Sequence, residues 1–130
     1  MKVYIAARYS RKEEMKQVSE LLRSEGVEVV STWMEEPHDG NISLNDVCDA
    51  LLEKYSVIDV SQVIDADIMI MFSEDPLIGT PRGGRHVEFG IALGTRKPIY
   101  VVGPKENIFH YLPNVFHFNS INEVINAICY

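Results

Sequence analysis

The chain has little that would cross-link it or carry it into a membrane. Its two cysteines, Cys48 and Cys129, in 130 residues make neither a disulfide framework nor a metal cluster, and a reducing cytoplasm is the natural setting. No apolar run approaches the roughly 20 residues of a membrane span. Met1-Lys2-Val3-Tyr4 opens directly into a strand signal, so no signal peptide is expected. Positive charge is scarce: 12 Lys and Arg stand against 19 Asp and Glu, a net −7 with a pI near 5.0. That balance offers no general attraction to a nucleic-acid backbone and argues against one as the main partner. His38, His86, His110 and His117 show no metal-ligand spacing. No Ser or Cys sits in a nucleophile elbow, and there are no repeats, linkers or low-complexity segments.

What is present is a soluble globular composition, 46% hydrophobic and 24% charged. At this length residues 1–130 form one domain with room for a sizeable core. Short apolar runs alternate with helical patterns. Lys2 to Ala7 reads as a strand covered on both faces. Ser10 is placed to cap a helix running to about Glu25, with Glu13 at the capping-box position and Gly26 as the stop. Val27 to Ser31 is a second strand, and the polar stretch Thr32 to Ile42 reads as a loop of the kind that covers a ligand. A helical region follows to about Ile64, with a break expected near Tyr55-Ser56. Asp65 and Asp67 mark the turn into a third strand, Asp67 to Phe72. Ile99 to Val102 and Val115 to Phe118 give strands four and five, and Ser120 caps a last helix to Ile128. This alternation predicts an α/β, doubly wound five-stranded parallel sheet, flavodoxin- or Rossmann-like, in the order 2-1-3-4-5. Its ligand crevice lies between strands one and three, at their carboxyl ends.

The stretch Gly79 to Gly94 enters that crevice. Gly79, Gly83 and Gly84 permit positive φ or close approach of a ligand. The helix they introduce offers free N–H groups and a positive dipole end. Glu88 falls about one turn inside it, as nucleophile, base or sugar ligand. Arg82 and Arg85 bracket the glycines, and Arg8 leaves strand one across the crevice; together they read as a phosphate clamp or as a balance to an acidic surface. Asp59 lies eight residues before Asp67, about 12 Å of helical rise. It is either a surface charge or a group reaching the crevice.

Three segments carry a resemblance: Val3-Tyr4-Ile5-Ala6, Asp59 through Ala66-Asp67, and Gly84-Arg85-His86-Val87-Glu88-Phe89-Gly90 through Lys97-Pro98. In order and spacing they resemble the nucleoside 2-deoxyribosyltransferase family, including its relatives that hydrolyse 2'-deoxynucleoside 5'-monophosphates. The resemblance implies that Glu88 attacks C1' of the sugar, that Asp59 assists departure of the base, and that Tyr4 orients the glutamate. Arg8, Gly79, Arg82, Gly83, Gly84 and Arg85 are then the substrate-binding residues. It also implies no cofactor, a small-molecule deoxynucleoside or deoxynucleotide as partner, and a homodimer or higher homo-oligomer, with the aromatic segment Phe109 to Phe118 near the contact. The family pattern differs here in the loop arginines and in the order Arg8 then Ser10 after strand one. The sequence thus points to N-glycosidic cleavage of a deoxynucleoside 5'-monophosphate. Base exchange between deoxynucleosides, or a non-catalytic nucleotide-binding module, are the alternatives.

Overall fold

The structure is a computed structural model that describes residues 1–36, 49–77 and 83–130. Gly79 and Arg82 of the expected binding loop, and Cys48, lie outside the described residues.

Five strands, β1 (Lys2–Ala6), β2 (Glu28–Val29), β3 (Ile68–Phe72), β4 (Ile99–Val102) and β5 (Val115–Phe118), form one parallel sheet among the described residues, in the order β2-β1-β3-β4-β5. The order is the expected one. Continuous apolar runs make the central strands because both faces of the sheet are covered: every residue of β3 is buried, as are Val3 to Ala6 of β1. Tyr4 pairs in register with Met69, which puts its side chain in the middle of the sheet. Asp67 marks the entry to β3, its carboxylate accepting from the Lys2 amide at 2.7 Å.

Among the described residues four α-helices flank the sheet: α1 (Lys12–Ser24), α2 (Asp49–Asp65), α3 (Gly84–Gly94) and α4 (Ile121–Cys129). α2 and α3 pack against each other and both touch β1, while α4 packs on β4 and β5. Ser120 caps α4 as expected, accepting from the Glu123 amide. Lys97, at the entry to β4, donates to the carbonyls of Ile64 and Ala66 at 2.6 and 2.5 Å. A cation is favoured at that end of α2, where the last carbonyls lack helical partners. It fixes the helix that bears Asp59.

Two local expectations give way. Ser10 does not cap α1: a 3-10 turn, Tyr9–Arg11, comes first, and α1 starts after Arg11 without a side-chain cap. The break at Tyr55-Ser56 is absent, and α2 runs through it. Ser56 satisfies its hydroxyl within the helix by donating to the Glu53 carbonyl at 2.7 Å, so a serine that could have opened a new helix stays inside an old one. Asp59 consequently sits mid-helix.

Candidate active site

Tyr4, Glu88 and Asp59 come from β1, α3 and α2, and the fold brings them together. The Tyr4 hydroxyl donates to Oε2 of Glu88. Gly83 introduces α3 with φ +90, a left-handed conformation that a side chain would strain. Its carbonyl then accepts from the amides of His86 and Val87. On this helix Arg85, Phe89 and Ala92 form the buried stripe. Glu88, three residues past Arg85, lies at the stripe's edge, half-buried, with its carboxyl turned onto Tyr4.

The sequence reading missed a third carboxyl. Glu36, only 7% exposed, stands within electrostatic reach of Asp59 and Glu88. Its place is built by long-range contacts at the end of β2. Gln62, one turn beyond Asp59 on α2, receives the Thr32 amide at 3.1 Å and donates to the Thr32 hydroxyl at 2.9 Å. The Trp33 indole donates to the Ile5 carbonyl at 2.6 Å, and the Tyr9 hydroxyl to the Glu36 carbonyl at 2.6 Å. A signal existed: Glu36 follows the strand beside β1, on the carboxyl side where the crevice lies.

Three carboxyls in one half-buried pocket cannot all ionise cheaply. Burial pushes Glu88 up to about 8; the Tyr4 hydrogen bond opposes this and the Asp59 charge adds to it. Glu36 is raised by its burial and by the Glu88 charge, with Asp59 opposing. Burial, then the charge and hydrogen bond of Glu88, hold Tyr4 well above the usual phenol range, so it remains a donor.

A stability effect follows. A carboxyl raised on folding binds its proton more tightly in the native state, so its contribution is present below the unfolded pKa and is lost as pH rises through the folded one. For Glu88 the window runs from the ordinary carboxyl range to about 8. Glu88→Gln keeps an acceptor for Tyr4 but cannot ionise. Its melting temperature relative to wild type should therefore rise steadily across that window and stay level above it. A difference that is flat with pH in calorimetry would mean that Glu88 titrates normally.

The basic residues divide. Arg8 leaves β1 in an extended conformation, half-buried and with no ion-pair partner among the described residues. Gly84 and Arg85 begin α3, where the first amides have no helical acceptor. The Arg85 side chain, however, does not join the expected clamp. It is buried against Glu106, with Nη2 to Oε2 at 2.5 Å and Nε to Oε1 at 3.3 Å. Glu106 Oε1 also accepts the Glu74 amide at 2.7 Å, and His86 Nε2 lies 3.4 Å from Oε2. Among the described residues no group of three His, Cys, Asp or Glu is arranged to hold a metal ion, and no helix is long and apolar enough to cross a membrane.

Neither a protein-family model nor a curated protein matches the chain. Solved structures do. The CMP N-glycosidase BcmB of Clostridium botulinum superimposes with a TM-score of 0.63 at 19% identity, over 98% of each chain. A 2-deoxyribosyltransferase of Bacillus psychrosaccharolyticus gives 0.70 at 21% identity, over 97% of this chain and 91% of its own. A conserved protein of Enterococcus faecalis V583 gives 0.56 at 15%, over 95% and 84%. At such identities the likeness is one of fold, from end to end.

Proposed function

We propose that this protein cleaves the N-glycosidic bond of a 2'-deoxynucleoside 5'-monophosphate by hydrolysis, with Glu88 as the nucleophile. The observation that carries the reading is the hydrogen bond of Tyr4 to Glu88 beside the Asp59 carboxyl. One carboxyl is thereby oriented for attack and another stands within its field. In the first step a Glu88 oxygen bonds to C1' as the C1'–N bond breaks and its electron pair leaves with the base. Asp59 supplies the proton that neutralises the departing base. A water oxygen then bonds to C1', Glu88 leaves as carboxylate, and the water's proton returns to Asp59. The sugar passes through oxocarbenium-like states that an adjacent carboxylate stabilises.

Two neighbours support the substrate class. One is described as a CMP N-glycosidase and the other as a 2-deoxyribosyltransferase; a nucleoside monophosphate and a deoxyribose are the two halves of the proposed substrate. For the 5'-phosphate, Arg8, Arg82 and the first amides of α3 are the anion ligands in this reading, without the Arg85 side chain. One or two charge-assisted hydrogen bonds, at about 1.5–3 kcal/mol each, should raise kcat/KM about ten- to a hundredfold over the nucleoside.

The test is release of free base from a panel of deoxynucleosides, their 5'-monophosphates and CMP, followed by chromatography with and without an acceptor base. Equal kcat/KM with and without phosphate would remove the phosphate site. Base exchange exceeding hydrolysis would favour the transferase reading, which the 0.70 TM-score to the 2-deoxyribosyltransferase recommends as the second choice. Ligand-induced melting shifts with no free base would leave a nucleotide-binding module.

A homo-oligomer belongs to the same proposal. Val57, Val60 and Ile64 on α2 and Val87 on α3 are exposed apolar side chains on the helices that bear Asp59 and Glu88, and Ile108, Phe109, Tyr111 and Phe116 are exposed in the aromatic segment. Light scattering on the assay solutions should find no active monomer.

A further inference from the structure

His110 has no part in the reaction proposed above, yet it is fully buried. It lies in the 3-10 turn Ile108–Tyr111, between β4 and β5. Its ring rests against Phe89 of α3 and His117 of β5, with centroids 5.1 and 6.2 Å away. The Glu106 amide donates to Nδ1 at 3.1 Å. An amide can only donate, so Nδ1 carries no proton and the ring is the neutral Nε2–H tautomer. His117 holds the same turn from the other side, its Nε2 donating to the His110 carbonyl at 2.6 Å. The backbone that His110 fixes belongs to Glu106, whose carboxylate takes the Arg85 guanidinium and the Glu74 amide. A continuous chain of contacts thus runs from β5 through His110 and Glu106 to the first turn of α3. Glu88 lies three residues past Arg85 on that helix.

We propose that His110 is an acid-sensitive latch: while neutral it holds Glu106 and, through it, the start of α3, and a proton on Nδ1 releases that hold. The reason is a count of donors and acceptors. A proton on Nδ1 faces the Glu106 N–H, donor against donor. Nε2 is buried without a partner among the described residues, so the charged ring has two N–H groups and no acceptor in place. A buried donor left unpaired is costly. The charged and titratable groups facing the ring are Glu106 from the loop after β4, Arg85 and His86 from α3, and His117 from β5. Burial lowers the affinity of His110 for a proton, and His117, His86 and Arg85 act in the same direction against the attraction of Glu106. Glu106 can accept from the imidazolium only by giving up the Arg85 or Glu74 contact, which is the release itself. The latch concerns how the helix bearing Glu88 is held, and it stands whichever reaction the site performs.

Nitrogen NMR on histidine-labelled protein should show His110 as the Nε2–H tautomer at neutral pH, titrating below the usual histidine value of about 6.5. Protection of the Glu106 amide from hydrogen exchange should fall at least about tenfold across that titration, the scale of one lost hydrogen bond. His110→Asn supplies a side-chain oxygen in place of Nδ1 that cannot be protonated. Its Glu106 protection should persist through the same pH range. A histidine whose folded pKa is lowered contributes stability above its unfolded pKa and loses it as pH falls through the folded one. The melting temperature of His110→Asn should therefore gain on wild type as pH falls. His110→Leu, with no acceptor, should leave the Glu106 amide poorly protected at every pH, and His86→Gln should leave the wild-type transition in place. The wild-type titration decides the matter even if a variant fails to fold. An Nδ1–H tautomer, or Glu106 protection that is unchanged while His110 titrates, would overturn the latch. So would a His110 that stays neutral until the whole protein unfolds. None of these readouts depends on base release.

Discussion

Glu88→Ala should lose at least about a thousandfold in kcat, the scale on which loss of a covalent nucleophile is felt, while folding and binding the nucleotide as before. The geometry argues for so large an effect. Glu88 is oriented by a fully buried tyrosine. A water or a displaced Asp59 would have to attack from the wrong place. If Glu88 served only as a ligand to the sugar hydroxyls, its loss would appear mainly in KM. A variant with a tenth of wild-type turnover would end its assignment as nucleophile. Formate offers a positive control: it fits the space left by the removed carboxyl, and partial recovery of base release by added formate would identify a missing carboxylate as the cause.

Glu88 is also where stability and activity oppose each other. Burial that pushes its carboxyl up to about 8 makes the charged form costly, and the charged form is the proposed nucleophile. kcat/KM, which reports the free enzyme, should accordingly rise with pH through this titration, over the same range in which native stability falls relative to Glu88→Gln.

Why the sequence disclosed some of this and not the rest is a matter of distance along the chain and of competing hydrogen bonds. The sheet was legible because its strands are uninterrupted apolar runs such as Ile68 to Phe72, bounded by turn residues. The strand order then located the crevice and Glu88 in it, while the parts given to Tyr4 and Asp59 came from the family resemblance. Ser56 misled because a serine hydroxyl can cap a helix from outside or bond back to a carbonyl within one, and Ser10 because it lies inside the 3-10 turn that precedes α1. Glu36 was hidden because its position depends on Trp33 reaching Ile5 and Gln62 reaching Thr32, contacts spanning about thirty residues that no periodicity encodes. Arg85 was read by its neighbourhood, a glycine loop, when its partner Glu106 lies beyond a further strand. Balance to an acidic group was the competing expectation, and for Arg85 that group is Glu106, whose carboxylate also accepts the Glu74 amide.

That pair carries the second large effect. The side chains of Arg85 and Glu106 are only 2% and 7% exposed, so each is ionised in a place where an isolated charge would be costly. Burial tends to raise Glu106, but the hydrogen bond from Arg85, the Glu74 amide and the charges of Arg85 and His86 outweigh it and hold the carboxyl below its usual range. A group lowered in this way contributes stability above its unfolded pKa and loses it as pH falls through the folded one. Glu106→Ala leaves a guanidinium buried without its counter-ion, which costs about 3–5 kcal/mol. In a domain of this size that corresponds to a fall in melting temperature of more than about 10 °C. Replacing both members, Arg85→Met with Glu106→Leu, removes the stranded charge and should recover most of the loss, because a buried ion pair is worth little more than apolar side chains of similar volume. Calorimetry on the two variants checks the stability claim. A Glu106→Ala protein that melts like wild type would show that Arg85 finds another anion. Kinetics then separate structure from function: if Arg85 only anchors the start of α3 to the loop after β4, the double variant keeps the wild-type ratio of kcat/KM for deoxynucleotide over deoxynucleoside. Loss of that ratio with the fold intact would return Arg85 to the phosphate.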